Sequence, residues 1–189
     1  VEDDTQVTIT LNQDATNRIA RVPYTITLQR GQVYQQGIGG IGVDLTGTLV
    51  SANKPVSMTT GSQFNTVPTS IPAADILIEQ AIPLDRLGRR YLSVPLAGRL
   101  QGDTVRIVAT QDETTIEVLR SVVDNQGNMS TILERTALLQ RGQSIDYLID
   151  GAREIRGTKP IMVLQLSNSG DFDGQAGDPF MMMLPPVEQ

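Results

Sequence analysis

A chain of 189 residues with no cysteine, no histidine and no tryptophan has no disulfide framework, no thiolate chemistry and no Ser-His-Asp or Cys-His arrangement open to it. Its net charge of −6, without a run of like charge, argues against nucleic acid or an anionic membrane surface as partner. The hydrophobic content of 39% permits a core, but aromatics are only 4%, so Val, Ile, Leu and Met must build it.

In chain order, Val7, Ile9 and Leu11 alternate with Thr8 and Thr10, the period of a half-buried strand. Tyr24, Ile26 and Leu28 alternate with Thr25 and Thr27 in the same way. Arg30-Gly31-Gln32 reads as a bend, and Gly37–Gly42 as a flexible loop. One helical turn is predicted at Leu84–Leu87, ended by Gly88. Strand alternation returns at Val105, Ile107 and Ala109, at Ile116 and Val118, and at Ile145, Tyr147 and Ile149. Asn125–Asn128 is a hairpin tip, and Arg141-Gly142-Gln143 a second bend. Ile161–Leu166 is apolar on both parities, which predicts a strand buried on both faces. The apolar run Phe180–Leu184 is too short to span a bilayer, so this segment is not expected to insert into a membrane.

The chain also repeats itself. Asp3–Ile9 returns as Asp112–Val118, offset by 109 positions, and Leu28–Gln32 returns letter for letter as Leu139–Gln143, offset by 111. The block around Lys54-Pro55 returns around Lys159-Pro160, and Glu79-Gln80 returns as Glu188-Gln189. Recurrence in a fixed order marks a duplicated structural unit. The fold class expected is all-β, as tandem duplicated antiparallel β-sandwich units of Ig-like or jelly-roll-like type. The expected divisions are a first β-repeat at 1–80, connecting strands at 81–111 and a second β-repeat at 112–189. The pattern starts and stops in mid-course, as expected of a segment of a longer repetitive protein.

Chemistry is sparse. Asp112 with Glu113 sits where a turn is expected and reads as solvated rather than as a glycosidase pair. The loop 167–178 is rich in oxygen ligands, and Asp171, Asp173 and Asp178 are candidates for calcium. Their spacing is not that of an EF-hand, and a plain loop is the favoured reading; no other cofactor is indicated. Met181-Met182-Met183 is expected to fill core. Lys54-Pro55 and Lys159-Pro160 mark strand starts or edges, since proline removes a ladder donor. Two stretches, Gly37–Gly42 and Ser62–Pro72, have no match in the other copy. Unshared loops on a shared scaffold are where binding is expected, so Gln63, Phe64, Asn65, Thr66 and Val67 are the candidate partner-binding residues.

Several blocks carry a family resemblance. Gly47–Met58 resembles a strand motif of the N-terminal domain of IgGFc-binding proteins. Ala74–Gln80 followed by Gly88–Pro95 is similar to that family's next segment, and Gly177–Gln189 resembles it again. The family places an aromatic before the glycine at Gly88, where this chain has Leu87. The resemblance implies a non-enzymatic extracellular or cell-surface module, common in large bacterial surface proteins, without implying that immunoglobulin is its ligand. The leading expectation is adhesion or ligand display toward a protein or glycan at a cell surface. A structural repeat that self-associates by strand addition into a stalk or filament is the first alternative. A carbohydrate-binding or carbohydrate-active module is the second, weakened by the scarcity of rings.

Overall fold

Strands make up nearly all the regular structure, as the alternating Thr and Val/Ile runs require. The computed structural model describes residues 1–40, 43–69, 71–174 and 177–188. Its contacts divide the chain into two units, 1–58 and 59–189.

In the first unit, β1 (Thr5–Thr10) lies between β2 (Tyr24–Leu28) and β3 (Leu49–Ala52), antiparallel to both. Alternation sends Val7, Ile9 and Leu11 to one side, where Ile26, Leu28, Leu45 and Val50 cover them. The other side is polar. Thr8 and Thr25 stand opposite one another there and share a hydroxyl hydrogen bond of 2.9 Å. A corner closes one end. Arg30 N–H donates to Asp3 Oδ1 at 2.8 Å, and Lys54 Nζ donates to the Asp3 carbonyl at 2.5 Å. Gln29 N–H donates to Gln32 Oε1 at 2.8 Å across Gly31, whose φ of +78° only glycine adopts without strain.

The second unit has a ribbon and two larger sheets. The ribbon is β4 (Thr59–Asn65) with β5 (Asp75–Gln80). A 3₁₀ turn at Leu84–Arg86 follows, where one helical turn is predicted. Then come β6 (Arg90–Ser93), β7 (Asp103–Ala109), β8 (Thr114–Val123), β9 (Met129–Leu139), β10 (Ser144–Ile149), β11 (Arg153–Gly157), β12 (Ile161–Leu166) and β13 (Met181–Met183). One sheet has the order β6-β11-β8-β9 and the other β10-β7-β12-β13. Tyr91, Ile116, Val118, Leu139 and Ile155 from the first meet Val105, Ile107, Ile149, Ile161 and Val163 from the second in one core. Each such side chain contributes about 1.5–3 kcal/mol by leaving water. Tyr91 also ties the sheets together, its hydroxyl donating to the Ile161 carbonyl at 2.6 Å. β12 is buried on both faces, as its sequence predicts: Val163 points into this core, and Leu164 into a second one. That second core lies under the ribbon, where Val67 and Leu77 pack with Val108, Leu166, Met181 and Met183.

The corner of the first unit occurs again here. Arg141 N–H donates to Asp112 Oδ1 at 3.0 Å, Lys159 Nζ to the Asp112 carbonyl at 2.5 Å, and Gln140 N–H to Gln143 Oε1 at 2.8 Å. Asp4 and Glu113 share a left-handed backbone at φ +56° and +53°, and Gly142 stands at +80° where Gly31 stands at +78°. Strand register matches as well. Val7 faces Ile26 and Ala52; Ile116 faces Ala137 and Gly157. The frames β2-β1-β3 and β9-β8-β11 are therefore built alike, with the repeated residues at equivalent places. The fourth pair of repeated residues does not behave this way. Glu79-Gln80 ends a strand, whereas Glu188 lies in a turn and Gln189 falls outside the described residues. Glu188 is held there because its Oε1 accepts the Arg89 N–H at 3.0 Å. A side chain at Gly88 would collide with Pro186 and Glu188, so the close approach of the two segments requires glycine.

Candidate functional site

The candidate stretch Gln63–Val67 divides in two. Ser62 pairs with Leu77 and Asn65 with Asp75, which leaves Gln63 and Phe64 both opposite Ile76. Such a β-bulge turns its extra residue away from the regular alternation. Phe64 is consequently 79% exposed, beside Ile76 at 49% and Ile78 at 57%. Val67 does the opposite. It is buried, its N–H donates to Ser169 Oγ at 3.0 Å, and its carbonyl accepts the Ser169 N–H at 2.6 Å. Asn65 Oδ1 accepts the Thr66 N–H at 2.9 Å and shapes the turn between the two halves. The ribbon thus has one face packed on the second core and one face apolar and open, with Val67 as its anchor. Ser70, in the same unmatched stretch, lies outside the described residues, as do Ile41 and Gly42 of the Gly37–Gly42 loop.

The oxygen-rich loop 167–178 does not run over the surface throughout. Ser167, Asn168 and Ser169 are buried. Thr104 Oγ1 donates to Asn168 Oδ1 at 2.7 Å, and Asn168 Nδ2 donates to the Gly102 carbonyl at 2.9 Å. A short helix at Gly170–Asp173, which the Gly/Asp composition hides from a sequence reading, turns Asp173 inward. Arg99 Nε lies 3.3 Å from Asp173 Oδ2, which also accepts the Leu100 N–H at 3.0 Å. Asp171 and Asp178 are exposed, and Gln175 and Ala176 between them lie outside the described residues. Among the described residues no three acidic side chains are grouped so as to hold a metal ion.

Two further clusters were not visible in the sequence. In the second unit, β9 carries a bulge at Glu134, between the Val118–Arg135 and Leu119–Leu133 pairs. Arg153 Nε meets Glu134 Oε2 at 2.5 Å, Arg120 Nε meets Glu134 Oε1 at 2.9 Å, and the Tyr147 hydroxyl donates to Glu134 at 2.9 Å. Burial works against the Arg153 charge, but Glu134 and Asp150 more than offset it, so its proton is held more firmly than usual. Burial raises the Tyr147 phenol above its ordinary pKa, and Glu134 adds to the effect. In the first unit, Tyr24 and Tyr34 meet edge to face with centroids 6.4 Å apart. Both hydroxyls donate to Gln36 Oε1, at 3.1 and 3.0 Å. The Arg18 guanidinium lies 4.2 Å from the Tyr24 ring centroid. Burial, then the hydrogen bond with Tyr34, pushes the Tyr24 pKa up to about 12.

An all-β module with an apolar ribbon face and two Arg/Tyr clusters is the class that fold and surface define. Over residues 1–189 the sequence matches the family described as IgGFc binding protein, and the chain belongs to that family. The family is one of extracellular ligand-binding modules. No curated protein and no solved structure matches the chain. Among the described residues, no helix is long and apolar enough to cross a membrane.

Proposed function

We propose that this chain is a non-catalytic adhesion or ligand-display module of a larger bacterial cell-surface protein, and that it grips a protein ligand through the open face of its β4–β5 ribbon. The carrying observation is Phe64, 79% exposed on a bulge that sets it beside Ile76 and Ile78. Aromatic side chains presented this way are typical anchors of protein interfaces, and contiguous exposed apolar surface marks such sites. The family membership supports an extracellular role. Replacing the whole of 63–69 would also remove the buried Val67, so the sharper test is Phe64→Ser with Ile78→Ser. Cells displaying the whole parent protein should lose adhesion with these changes while the folded fraction is retained. Undiminished adhesion moves the binding site elsewhere.

One observation favours self-association as a second reading. β9 is an edge strand of 11 residues, with Met129, Ile132, Leu133 and Leu138 all exposed. A long apolar edge is a template for strand addition. Light scattering across a concentration series tests it: assembly that Leu138→Lys abolishes supports strand addition, and a monomer at every concentration removes it.

A further inference from the structure

We infer that the loops of the first unit around Arg18, Tyr24 and Tyr34 form a second docking surface, and that its occupant is an acidic protein segment carrying apolar side chains. Rings are scarce in this chain, with four Tyr, three Phe and no Trp. Two of those four tyrosines are nevertheless brought together at one place on the surface, hydroxyls converging on Gln36. Tyr34 is 38% exposed, and neighbouring side chains stand further out: Ile19 at 69% and Val22 at 55%. Tyr and Arg beside apolar groups is the composition that concentrates energy in protein interfaces.

Charge selects the partner. The loop 15–23 carries Arg18 and Arg21 and no Asp or Glu, and the stretch 31–43 that carries Tyr34 has no Asp or Glu either, in a chain whose net charge is −6. Asp14, at the edge of the loop 15–23, is occupied locally: its Oδ1 accepts the Ala20 N–H at 2.7 Å. Among the described residues, Arg18 and Arg21 have no carboxylate within ion-pair distance. A locally cationic patch on an acidic protein attracts a partner of negative charge, and Arg grips carboxylate with a two-pronged donor set. A protein segment fits better than a glycan. The Tyr24 face is already covered by Arg18, so a sugar ring finds no open platform there, whereas Ile19 and Val22 call for apolar side chains.

The loop is also preorganised. Ala15 and Arg18 exchange backbone hydrogen bonds of 3.0 and 2.9 Å, and Arg21 N–H donates to the Leu11 carbonyl at 2.8 Å. A surface held in its bound shape loses less entropy on association.

The test uses the full chain and a short fluorescent peptide in which Glu alternates with Leu, beside a control with Gln for every Glu. Binding is followed by polarisation, and the contacted residues by amide chemical-shift changes. The Glu peptide should bind, shift Arg18–Tyr24 and Tyr34–Gln36, and weaken as salt rises. Arg18→Glu with Arg21→Glu should weaken binding about tenfold or more. Arg30→Glu should leave it unchanged, because Arg30 lies beyond the other end of β2 and tests for unspecific charge attraction. Circular dichroism confirms that each variant is folded. Equal binding of the Gln peptide, equal loss with Arg30→Glu, or no binding of the Glu peptide overturns the inference. So does sialyllactose shifting the same residues while the peptide does not.

Discussion

The sheet β2-β1-β3 and the strands β9-β8-β11 share register and corner, yet they support different cores. In the first unit, loop residues such as Leu45 and Ala15 shelter Val7 and Ile9, which remain 5% and 6% exposed. In the second, a facing sheet covers Ile116 and Val118, both at 1%. The corner therefore works as a local device. An aspartate accepting a backbone N–H, a glycine in the left-handed region and a lysine on the aspartate carbonyl set three strands in order, whatever is packed on their apolar side. Burial is decided afterwards, by what the rest of the chain brings.

The largest expected effect separates the two cores. Ile107→Ala should cost about 2–5 kcal/mol, because nothing can collapse into a gap between two sheets. Ile9→Ala should cost less, since its cover comes from single loop side chains such as Ala15 and Leu45 rather than from a facing sheet. Chemical denaturation checks both, and equal losses would erase the distinction between a sheet-on-sheet core and a loop-covered one.

Next comes the bulge that only the second frame carries. By the repeat offset of 111, the place of Glu134 is taken by Pro23, so no equivalent carboxylate exists in the first unit. Glu134→Gln leaves Arg153, with 5% of its side chain exposed, short of its main partner. The cost should be about 1–3 kcal/mol, since removing one member of a sheltered pair strands the other. A neutral outcome would show that Asp150 alone suffices for Arg153.

The corners themselves should respond alike. Gly31→Ala and Gly142→Ala each force a Cβ into the left-handed region, at about 1–2 kcal/mol. Similar losses in two separate melts sharpen the equivalence, and a loss at only one of the two breaks it.

The smallest effect is on titration. Tyr24 has a folded pKa of about 12 against an ordinary 10.0, and burial raises Tyr91 and Tyr147 as well. A raised folded pKa gives stability that is complete below pH 10 and lost as pH climbs through the folded value. Phenolate absorbance should lag behind that of the unfolded chain, with Tyr24→Phe removing the component near pH 12. Coincident folded and unfolded curves would place these rings in water.

Much of this was legible, and the exceptions have physical causes. β1 and β2 show in the sequence because apolar residues alternate there with polar ones, and β7 and β10 show despite Val108 and Leu148, which interrupt that alternation. The corners show because their letters repeat. β11 does not, since Arg153 takes an inward position that a sequence assigns to an apolar residue, and Glu134 from β9 together with Asp150 makes that tolerable. β5 misleads in the other direction: Ile76 and Ile78 face out and Leu77 faces in. Periodicity alone cannot say which parity is the buried one. Phe64 stands out in the sequence because its stretch lacks a match, but its neighbours Ile76 and Ile78 reach it only through strand pairing. Arg18, Tyr24 and Tyr34 come together through loop geometry that no spacing announces. The repeat bounds at 80 and 112 follow recurrence of letters, whereas the unit boundary at Met58 follows contacts, because β4 and β5 pack with the second unit's own sheets.

We propose that the shared frame holds the fold and that the unshared parts do the binding. The most direct measurement pairs two variants of the displayed whole protein, Phe64→Ser and Gly142→Ala, and records adhesion and melting temperature together. Phe64→Ser should abolish or sharply reduce adhesion with an unchanged melt. Gly142→Ala should lower the melt and leave adhesion intact below it. Adhesion that survives Phe64→Ser and falls with Gly142→Ala in the folded state would contradict the account.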